Sequence, residues 1–135
     1  MQRKKSTLPD AGKGLFTKHK ILKNELIVYI HNPREISTEN DLDKLEYNDS
    51  AINVIIIKNI KNKNRRVRVW VTDQKNVKTQ NWYYLNHKAN NPNTIMKLFT
   101  TSKNMQTIGW FAKRDINIGE ELFFNYNPGS NVRFS

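Results

Sequence analysis

The segment from Gly109 to Tyr126, GWFAKRDINIGEELFFNY, constrains the fold more than any other part of this 135-residue chain. It contains a strand-like run, a tight turn at Ile118-Gly119 and a second apolar run that ends at Tyr126. Glycine adopts the positive φ that such a turn requires without steric cost. The pattern predicts two short extended segments with one phenol beside a backbone crossing, which is the layout of a functional site.

Short runs of β-favouring residues recur along the rest of the chain. The run from Arg66 to Thr72 alternates valine with other residues, the period of two expected for a strand with one buried face. It predicts a hairpin with Ile52 to Ile57, and Thr107 to Ala112 predicts another with Ile95 to Phe99. Many short strands with little helix indicate a mostly β fold of small sheets. The remaining strand-like runs are Leu15-Phe16 and Glu25 to Ile30.

One short helix is predicted, and it lies in the acidic part of the chain. Ser37 or Thr38 can cap a helix that runs to Glu46, and acidic residues in the first turn suit the helix dipole. The segment is either a site that holds a basic peptide or an exposed helix with a solvated acidic face. Six of the twelve acidic residues fall here: Glu35, Glu39, Asp41, Asp43, Glu46 and Asp49.

The length of the chain predicts one domain, since 135 residues can bury a core without disulfides or metals. Met1 to Pro9 is polar and basic and precedes any periodic pattern, so we expect residues 1–9 to form a flexible arm. Residues 10–135 are then the folded domain. The sequence contains no internal repeat, low-complexity tract or second-domain linker.

The composition is strongly basic, with 23 Lys and Arg against 12 Asp and Glu and a net charge of +11. Such a surface favours polyanions such as DNA or RNA. A lysine-biased genome that produces a merely solubilising surface explains the charge equally well. Both interpretations stay open.

Several classes of site and location are disfavoured by what the sequence lacks. Without cysteine there are no disulfides or thiolate metal sites, and His19, His31 and His87 are too scattered to form a ligand set. No metal site is predicted. Nothing resembles a signal peptide, and no apolar run approaches the ~20 residues that span a bilayer. We therefore expect a soluble intracellular protein that does not contact a membrane.

Three motifs, in their order and spacing, resemble those of SET-domain protein lysine methyltransferases. They are AGKGLF from Ala11 to Phe16, NHK from Asn86 to Lys88, and GEELFFNY, which ends at Tyr126. The last motif is most similar to the Enhancer-of-zeste branch, and the short chain resembles the minimal viral SET proteins. The resemblance runs from Ala11 to Tyr126 and implies small β-sheets around a threaded (pseudoknot) C-terminal segment, a rare exception to unknotted folds.

The resemblance also implies a reaction, the transfer of a methyl group from S-adenosyl-L-methionine to a protein lysine. This chemistry needs a positioned amine and a dry channel, but neither a metal nor a covalent nucleophile. Tyr126 would be the catalytic residue that orients the amine. The cofactor-binding residues would be Ala11, Gly12, Lys13, Gly14, Asn86, His87 and Tyr126. The substrate-binding residues would be Phe124, Tyr84, Tyr29 and Ile30.

Each of these residues also has a simpler interpretation. Tyr126 alone reads as a core tyrosine that closes a strand, the glycines as a bare turn, and Asn86 with His87 as a loop that satisfies backbone groups. The chain departs from the family pattern at Lys88, where Ser is usual, and at Asn125, where Asp is common. It also lacks a cysteine-rich zinc-binding tail. Phe134 or a second subunit of a homodimer would then close the lysine channel.

The substrate favoured by the resemblance is a histone tail, with a possible contact to nucleosomal DNA and a nuclear or host-nuclear location. Two alternatives stay open: another basic protein as the substrate, or an inactive SET-like module that binds nucleic acid. The resemblance implies that Phe124 lies beside the amine pocket, where phenylalanine leaves more room than tyrosine would. We therefore expect di- or trimethylation.

Overall fold

The computed structural model describes residues 1–31, 34–36, 51–58, 67–73, 78–125 and 132–134, with side chains described for residues 1–31 and 78–125. The chain divides into a first unit, Met1–His31 with Lys78–Asn125, and a second unit, Asn32–Val77 with Tyr126–Ser135. A 3-10 helix spans Asn81–Tyr84. The strands are β1 (Gln2–Lys5), β2 (Lys13–Phe16), β3 (Leu26–Tyr29), β4 (Arg34–Ile36), β5 (Ala51–Lys58), β6 (Val67–Asp73), β7 (Asn86–His87), β8 (Thr94–Thr100), β9 (Gln106–Ala112), β10 (Phe123–Phe124) and β11 (Val132–Phe134).

The first unit contains an antiparallel sheet in the order β3-β9-β8, together with the antiparallel pair β1-β2 and the parallel pair β7-β10. The predicted hairpin of β8 with β9 is confirmed, and Ile95 lies opposite Phe111. Asn104 adopts a φ of 59° in its connection, a conformation that asparagine tolerates better than most residues. The predicted turn before the last motif is also present, with Gly119 at a φ of 87°.

The core of the first unit packs against one face of this sheet. Trp110, in the central strand β9, is fully buried. Its ring stacks on Trp82 with centroids 5.5 Å apart and meets Phe124 edge-on at 5.4 Å. Trp82 belongs to the 3-10 helix and Phe124 to β10, so one aromatic cluster joins three separate elements in the preferred ring geometries.

Residues 121–124 run between three earlier parts of the chain. The Leu122 N–H donates to the Leu15 carbonyl of β2 (2.8 Å), while β10 pairs in parallel with β7. Asn93 binds the same segment twice, because its Nδ2 donates to the Glu121 carbonyl and its Oδ1 accepts the Phe123 N–H, each at 2.8 Å. Backbone and side-chain bonds therefore fix this segment from several directions within the first unit.

The N-terminal residues differ from the flexible arm that the sequence predicted. Residues 2–5 form β1, which pairs with β2. The Arg3 guanidinium donates to Asn81 Oδ1 and to the carbonyls of Lys78 and Thr79, and it lies 4.6 Å from the Tyr84 ring centroid. This strand was missed because it is exposed and basic, so its sequence carries no apolar alternation.

The second unit contains a four-stranded sheet in the order β11-β5-β6-β4. The predicted hairpin of β5 with β6 is confirmed, with Ile55 opposite Trp70. The predicted helix from residues 37 and 38 to Glu46 lies outside the described residues, as do all of the acidic residues in its segment except Glu35. The predicted mostly β fold class of small sheets is confirmed. No described helix has the length and apolar character needed to cross a membrane.

Candidate active site

A cavity of about 720 Å³ adjoins the glycine turn between β1 and β2. The Ser6 N–H donates to the Gly12 carbonyl (2.8 Å) and closes a loop of residues 6–12, hereafter the 6–12 loop. Gly12 has a φ of 68° and Asp10 a φ of 60°, so the backbone turns sharply here. Gly12 and Lys13 were predicted as binding residues, and both line the cavity. The lining residues are Lys5, Ser6, Thr7, Leu8, Pro9, Asp10, Gly12 and Lys13.

Glu121, the second glutamate of the last motif, joins this loop to the rest of the site. Its side chain is only 6% exposed. Oε1 accepts hydrogen bonds from the Thr7 N–H (2.8 Å) and the Thr7 hydroxyl (2.7 Å). Oε2 accepts from the Ser6 hydroxyl (2.7 Å) and from Asn86 Nδ2 (3.2 Å). Residues far apart in sequence therefore meet at one carboxylate.

The surroundings of Glu121 lower its pKa below the usual value for a glutamate. Burial by itself raises the pKa, because it disfavours the charged form. The hydrogen bonds from Ser6, Thr7 and Asn86 stabilise the carboxylate and outweigh burial. Glu121 is therefore ionised at neutral pH.

The ionisation of Glu121 is expected to make stability fall in acid. The pKa of Glu121 is lower in the folded than in the unfolded state, where it is about 4.3. The carboxylate therefore stabilises the fold fully at pH values above that unfolded pKa. That contribution is lost as the pH falls through the folded pKa. We expect urea unfolding to show that the free energies of unfolding of the native protein and Glu121→Gln differ by a constant amount near neutral pH. This difference should shrink below about pH 4. A pH-independent difference would contradict this account.

Asn86, predicted as a binding residue, has an amide whose orientation follows from its partners. Nδ2 donates to the Lys13 carbonyl and to Glu121 Oε2, both at 3.2 Å. Both partners only accept hydrogen bonds, so the NH₂ group must face them and not the amide oxygen. The Oδ1 atom of Asn86 is therefore directed away from both acceptors, as an acceptor for another donor.

Gly14 allows Glu121 and Asn86 to approach the turn. A Cβ built at Gly14 would overlap the Glu121 carboxylate and lie 3.3 Å from Asn86 Nδ2. We expect Gly14→Ala to displace the carboxylate and to lower the free energy of unfolding by about 1 to 3 kcal/mol. Denaturant unfolding measures this, and a free energy of unfolding that is unchanged in Gly14→Ala would contradict the steric explanation.

Two other predicted cofactor-binding residues are sequence neighbours of this group. Ala11 is half-buried at the end of the 6–12 loop, and His87 is exposed in β7 beside Asn86. Lys88, where the family resemblance expected Ser, donates its N–H to the Phe124 carbonyl (3.1 Å) and places its Nζ 5.4 Å from the Phe123 ring centroid. The structure therefore brings the glycine turn and Asn86 together at Glu121.

The four predicted substrate-binding side chains are not brought together by the described contacts. Phe124 is buried against Trp110, and Ile30 is 1% exposed. Tyr29 contacts Phe99 on the face of the β3-β9-β8 sheet opposite to Trp110, with ring centroids 5.8 Å apart. The Tyr84 hydroxyl donates to the Lys78 carbonyl (2.7 Å). Their roles in substrate binding stay predictions.

Tyr126, the predicted catalytic residue, lies outside the described residues, and its role also stays a prediction. Sequence reasoning missed Glu121, Ser6 and Thr7. The signal for Glu121 was available in the last motif, where a glutamate precedes three apolar residues. Ser6 and Thr7 carried no signal, because only the folded chain places them beside that carboxylate. Among the described side chains, no cluster of metal ligands occurs.

Comparison with known proteins adds family and fold relationships. The family model described as "SET domain" matches residues 12–127. The structure of CpSET8 from Cryptosporidium is 22% identical, with a TM-score of 0.67, 92% of this chain covered and 56% of that chain. No curated protein sequence matches significantly.

Two further similar structures are of Polycomb Repressive Complex 2. The ctPRC2 structure in an autoinhibited conformation bound to S-adenosylmethionine is 25% identical, with a TM-score of 0.56. The match covers 92% of this chain and 14% of that chain. The Chaetomium thermophilum complex bound to GSK126 is 26% identical, with a TM-score of 0.59 and coverages of 92% and 15%. The present chain therefore spans about half of one relative and a small part of the others.

Proposed function

The chain belongs to the SET-domain family, and we propose that it is an S-adenosylmethionine-dependent protein lysine N-methyltransferase. The observation that carries the proposal is the meeting of Lys13, Gly14, Asn86 and Glu121, all within the residues that match the family. The Glu121 carboxylate also binds Ser6 and Thr7, which line the cavity. The match to a complex bound to S-adenosylmethionine supports the choice of cofactor.

The residues present suit S-adenosyl-L-methionine in volume and in charge. The cavity of about 720 Å³ lies within the range of small-molecule sites. Lys5 and Lys13 line it and offer ammonium groups to a carboxylate. Asn86 Oδ1 offers an acceptor to an ammonium group. The methionine part of the cofactor carries both of these charged groups, and Ala11, Gly14 and His87 would complete its site.

The cofactor, when bound, supplies an activated methyl group on a sulfonium. The chain must then hold a neutral lysine amine in line with that methyl and exclude water. We assign the orientation of the amine to the Tyr126 hydroxyl. Phe123 and Phe124, which are buried beside the Asn-His pair, would provide the apolar wall that favours the neutral amine.

We propose a histone tail as the substrate, with nucleosomal DNA as a possible further contact and the nucleus as the site of action. The support is the charge distribution, because a net charge of +11 coexists with six acidic residues between positions 35 and 49. Another basic protein fits the same charges and is the second candidate. A catalytically inactive module that binds nucleic acid is the third. A homodimer is one way to close the lysine channel.

One incubation tests these candidates together. The native protein is mixed with S-adenosylmethionine labelled in the methyl group and with histones, nucleosomes or a basic non-histone protein. We expect label on histone lysine, and label on only the non-histone protein would select the second candidate. Calorimetry with S-adenosylhomocysteine accompanies the assay. Absence of both methylation and cofactor binding would overturn the proposed activity.

The number of methyl groups added is expected to depend on residue 124. Phe124 is 1% exposed and contacts Trp110, whose buried Nε1–H has no hydrogen-bond partner among the residues that the structure describes. A tyrosine hydroxyl at position 124 needs a partner in this cluster, and it would occupy space or hold a water beside the amine. We expect di- or trimethylation by the native protein and mainly monomethylation by Phe124→Tyr. Mass spectrometry of a peptide at completion measures this, and a native enzyme that stops at one methyl contradicts it.

A further inference from the structure

We propose that Glu121 is a positioning residue that sets the orientation of the Asn86 amide and holds the 6–12 loop against the cofactor cavity. The inference rests on the proposed function, because it assigns Glu121 an indirect part in binding S-adenosylmethionine. Glu121 is a buried acid that lies between Ser6, near the N-terminus, and Asn86, in the middle of the chain.

The Glu121 carboxylate uses all of its acceptor sites. A carboxylate has about four acceptor sites, two on each oxygen. Each oxygen of Glu121 accepts two hydrogen bonds from the described residues, from Thr7 at Oε1 and from Ser6 and Asn86 at Oε2. A neutral amide at this position would turn its NH₂ group toward the Thr7 N–H or toward the Asn86 NH₂ group, neither of which can accept a hydrogen bond. Glutamine therefore cannot reproduce the arrangement.

The orientation of the Asn86 amide depends on the Glu121 carboxylate. If the Glu121 carboxylate is lost, only the Lys13 carbonyl holds the Asn86 NH₂ group. An asparagine amide rotates by half a turn with little steric change, and such a rotation would place Nδ2 where Oδ1 was. The group presented to a cofactor ammonium would then be a donor instead of an acceptor. Glu121 acts on the cofactor through Asn86 without touching it.

Glu121 also binds residues of the cavity wall. Ser6 and Thr7 both line the cavity and both bind Glu121. Glu121 thus fixes one wall of the cavity as well as the Asn86 amide. These two effects can be separated, because a Ser6→Ala, Thr7→Val double variant removes side-chain bonds to the loop and leaves the bond between Glu121 and Asn86.

The experiment is a double-mutant cycle read by calorimetry with S-adenosylhomocysteine. We expect Glu121→Gln to weaken binding by about tenfold or more, because charge-assisted hydrogen bonds in the site are lost. In an Asn86→Ala background the same change should have an effect reduced to about twofold, since the group it orients is absent. Equal effects in the two backgrounds would overturn the positioning role.

The matched control is Glu120→Gln, the same change one residue away. Glu120 pairs with Arg114 at 2.9 Å and accepts the Asn117 N–H at 2.6 Å, and none of its hydrogen bonds among the described residues goes to Asn86, Ser6 or Thr7. It should leave cofactor affinity within about twofold. In steady state, Glu121→Gln should raise the KM for S-adenosylmethionine and leave the KM for the peptide unchanged. Equal weakening by the Ser6→Ala, Thr7→Val variant and by Glu121→Gln would mean that Glu121 serves only the loop.

A measurement without cofactor separates this inference from the proposed function. In the native protein, NMR should show slow exchange of the Asn86 Nδ2 hydrogens, and in Glu121→Gln that exchange should accelerate by about tenfold or more. If the native protein binds no S-adenosylhomocysteine but shows this change, the proposed function fails and the orienting contact stands. If exchange is the same in both folded proteins, the orienting contact is refuted. Circular dichroism establishes that each variant is folded.

Discussion

Replacing Tyr126 with phenylalanine is expected to lower methyl transfer by about 100-fold or more while the affinity for S-adenosylhomocysteine changes by a few fold at most. The hydroxyl is assigned to the reacting amine, so its loss acts on the transition state more than on the bound cofactor. Single-turnover rates with labelled cofactor give the first quantity and calorimetry gives the second. The expectation rests on the position of Tyr126 at the end of the last motif.

The control for this variant is Tyr83→Phe, which also removes one phenolic hydroxyl. Tyr83 is half-buried, and its ring meets Trp82 and Tyr84 edge-on with centroids 6.4 and 5.3 Å away. Tyr83 is not among the residues proposed to bind the cofactor or the lysine. The turnover of Tyr83→Phe should therefore stay near that of the native protein. Native turnover in Tyr126→Phe would remove the assignment. A large loss of cofactor affinity in the same variant would shift the role of Tyr126 from the amine to the cofactor.

The strands that the sequence predicted correctly are those with a local pattern. The alternation in β6 and the paired apolar runs of β8 and β9 reflect the period at which side chains change faces, so a short window of sequence is enough. The turn at Gly119 follows from a single residue that adopts positive φ easily. The glycine turn and the Asn-His pair were also named as site residues from their motifs.

The parts that the sequence did not predict depend on contacts between distant residues. Strand β1 is exposed and basic, and its pairing with β2 and the bonds of Arg3 to residues 78–81 become visible only in the folded chain. Glu121 is similar, since its partners Ser6 and Thr7 lie at the other end of the sequence. A local window cannot contain both members of such a pair. The resemblance to a family supplied the site motifs but not the network that positions them.

Asn93→Ala is expected to destabilise the protein by about 2 to 4 kcal/mol, because it removes two buried hydrogen bonds to the segment of residues 121–124. Asn93 is 3% exposed, and its amide binds the Glu121 carbonyl and the Phe123 N–H at 2.8 Å each. Alanine would leave the Phe123 N–H buried without that acceptor. Since Glu121 is proposed to position Asn86 and the 6–12 loop in the cofactor site, cofactor affinity should fall together with stability. Urea unfolding and calorimetry with S-adenosylhomocysteine measure the two effects.

Two further variants make this prediction specific. Asn90→Ala makes the same change at an exposed position of the preceding loop and should alter stability by less than about 0.5 kcal/mol. Asn93→Asp keeps an acceptor for the Phe123 N–H but places a carboxylate against the Glu121 carbonyl, so it should also be destabilised near neutral pH and partly recover in mild acid, where a protonated carboxyl can donate. If Asn93→Ala and Asn90→Ala had the same free energy of unfolding, residues 121–124 would be held by their backbone pairing alone.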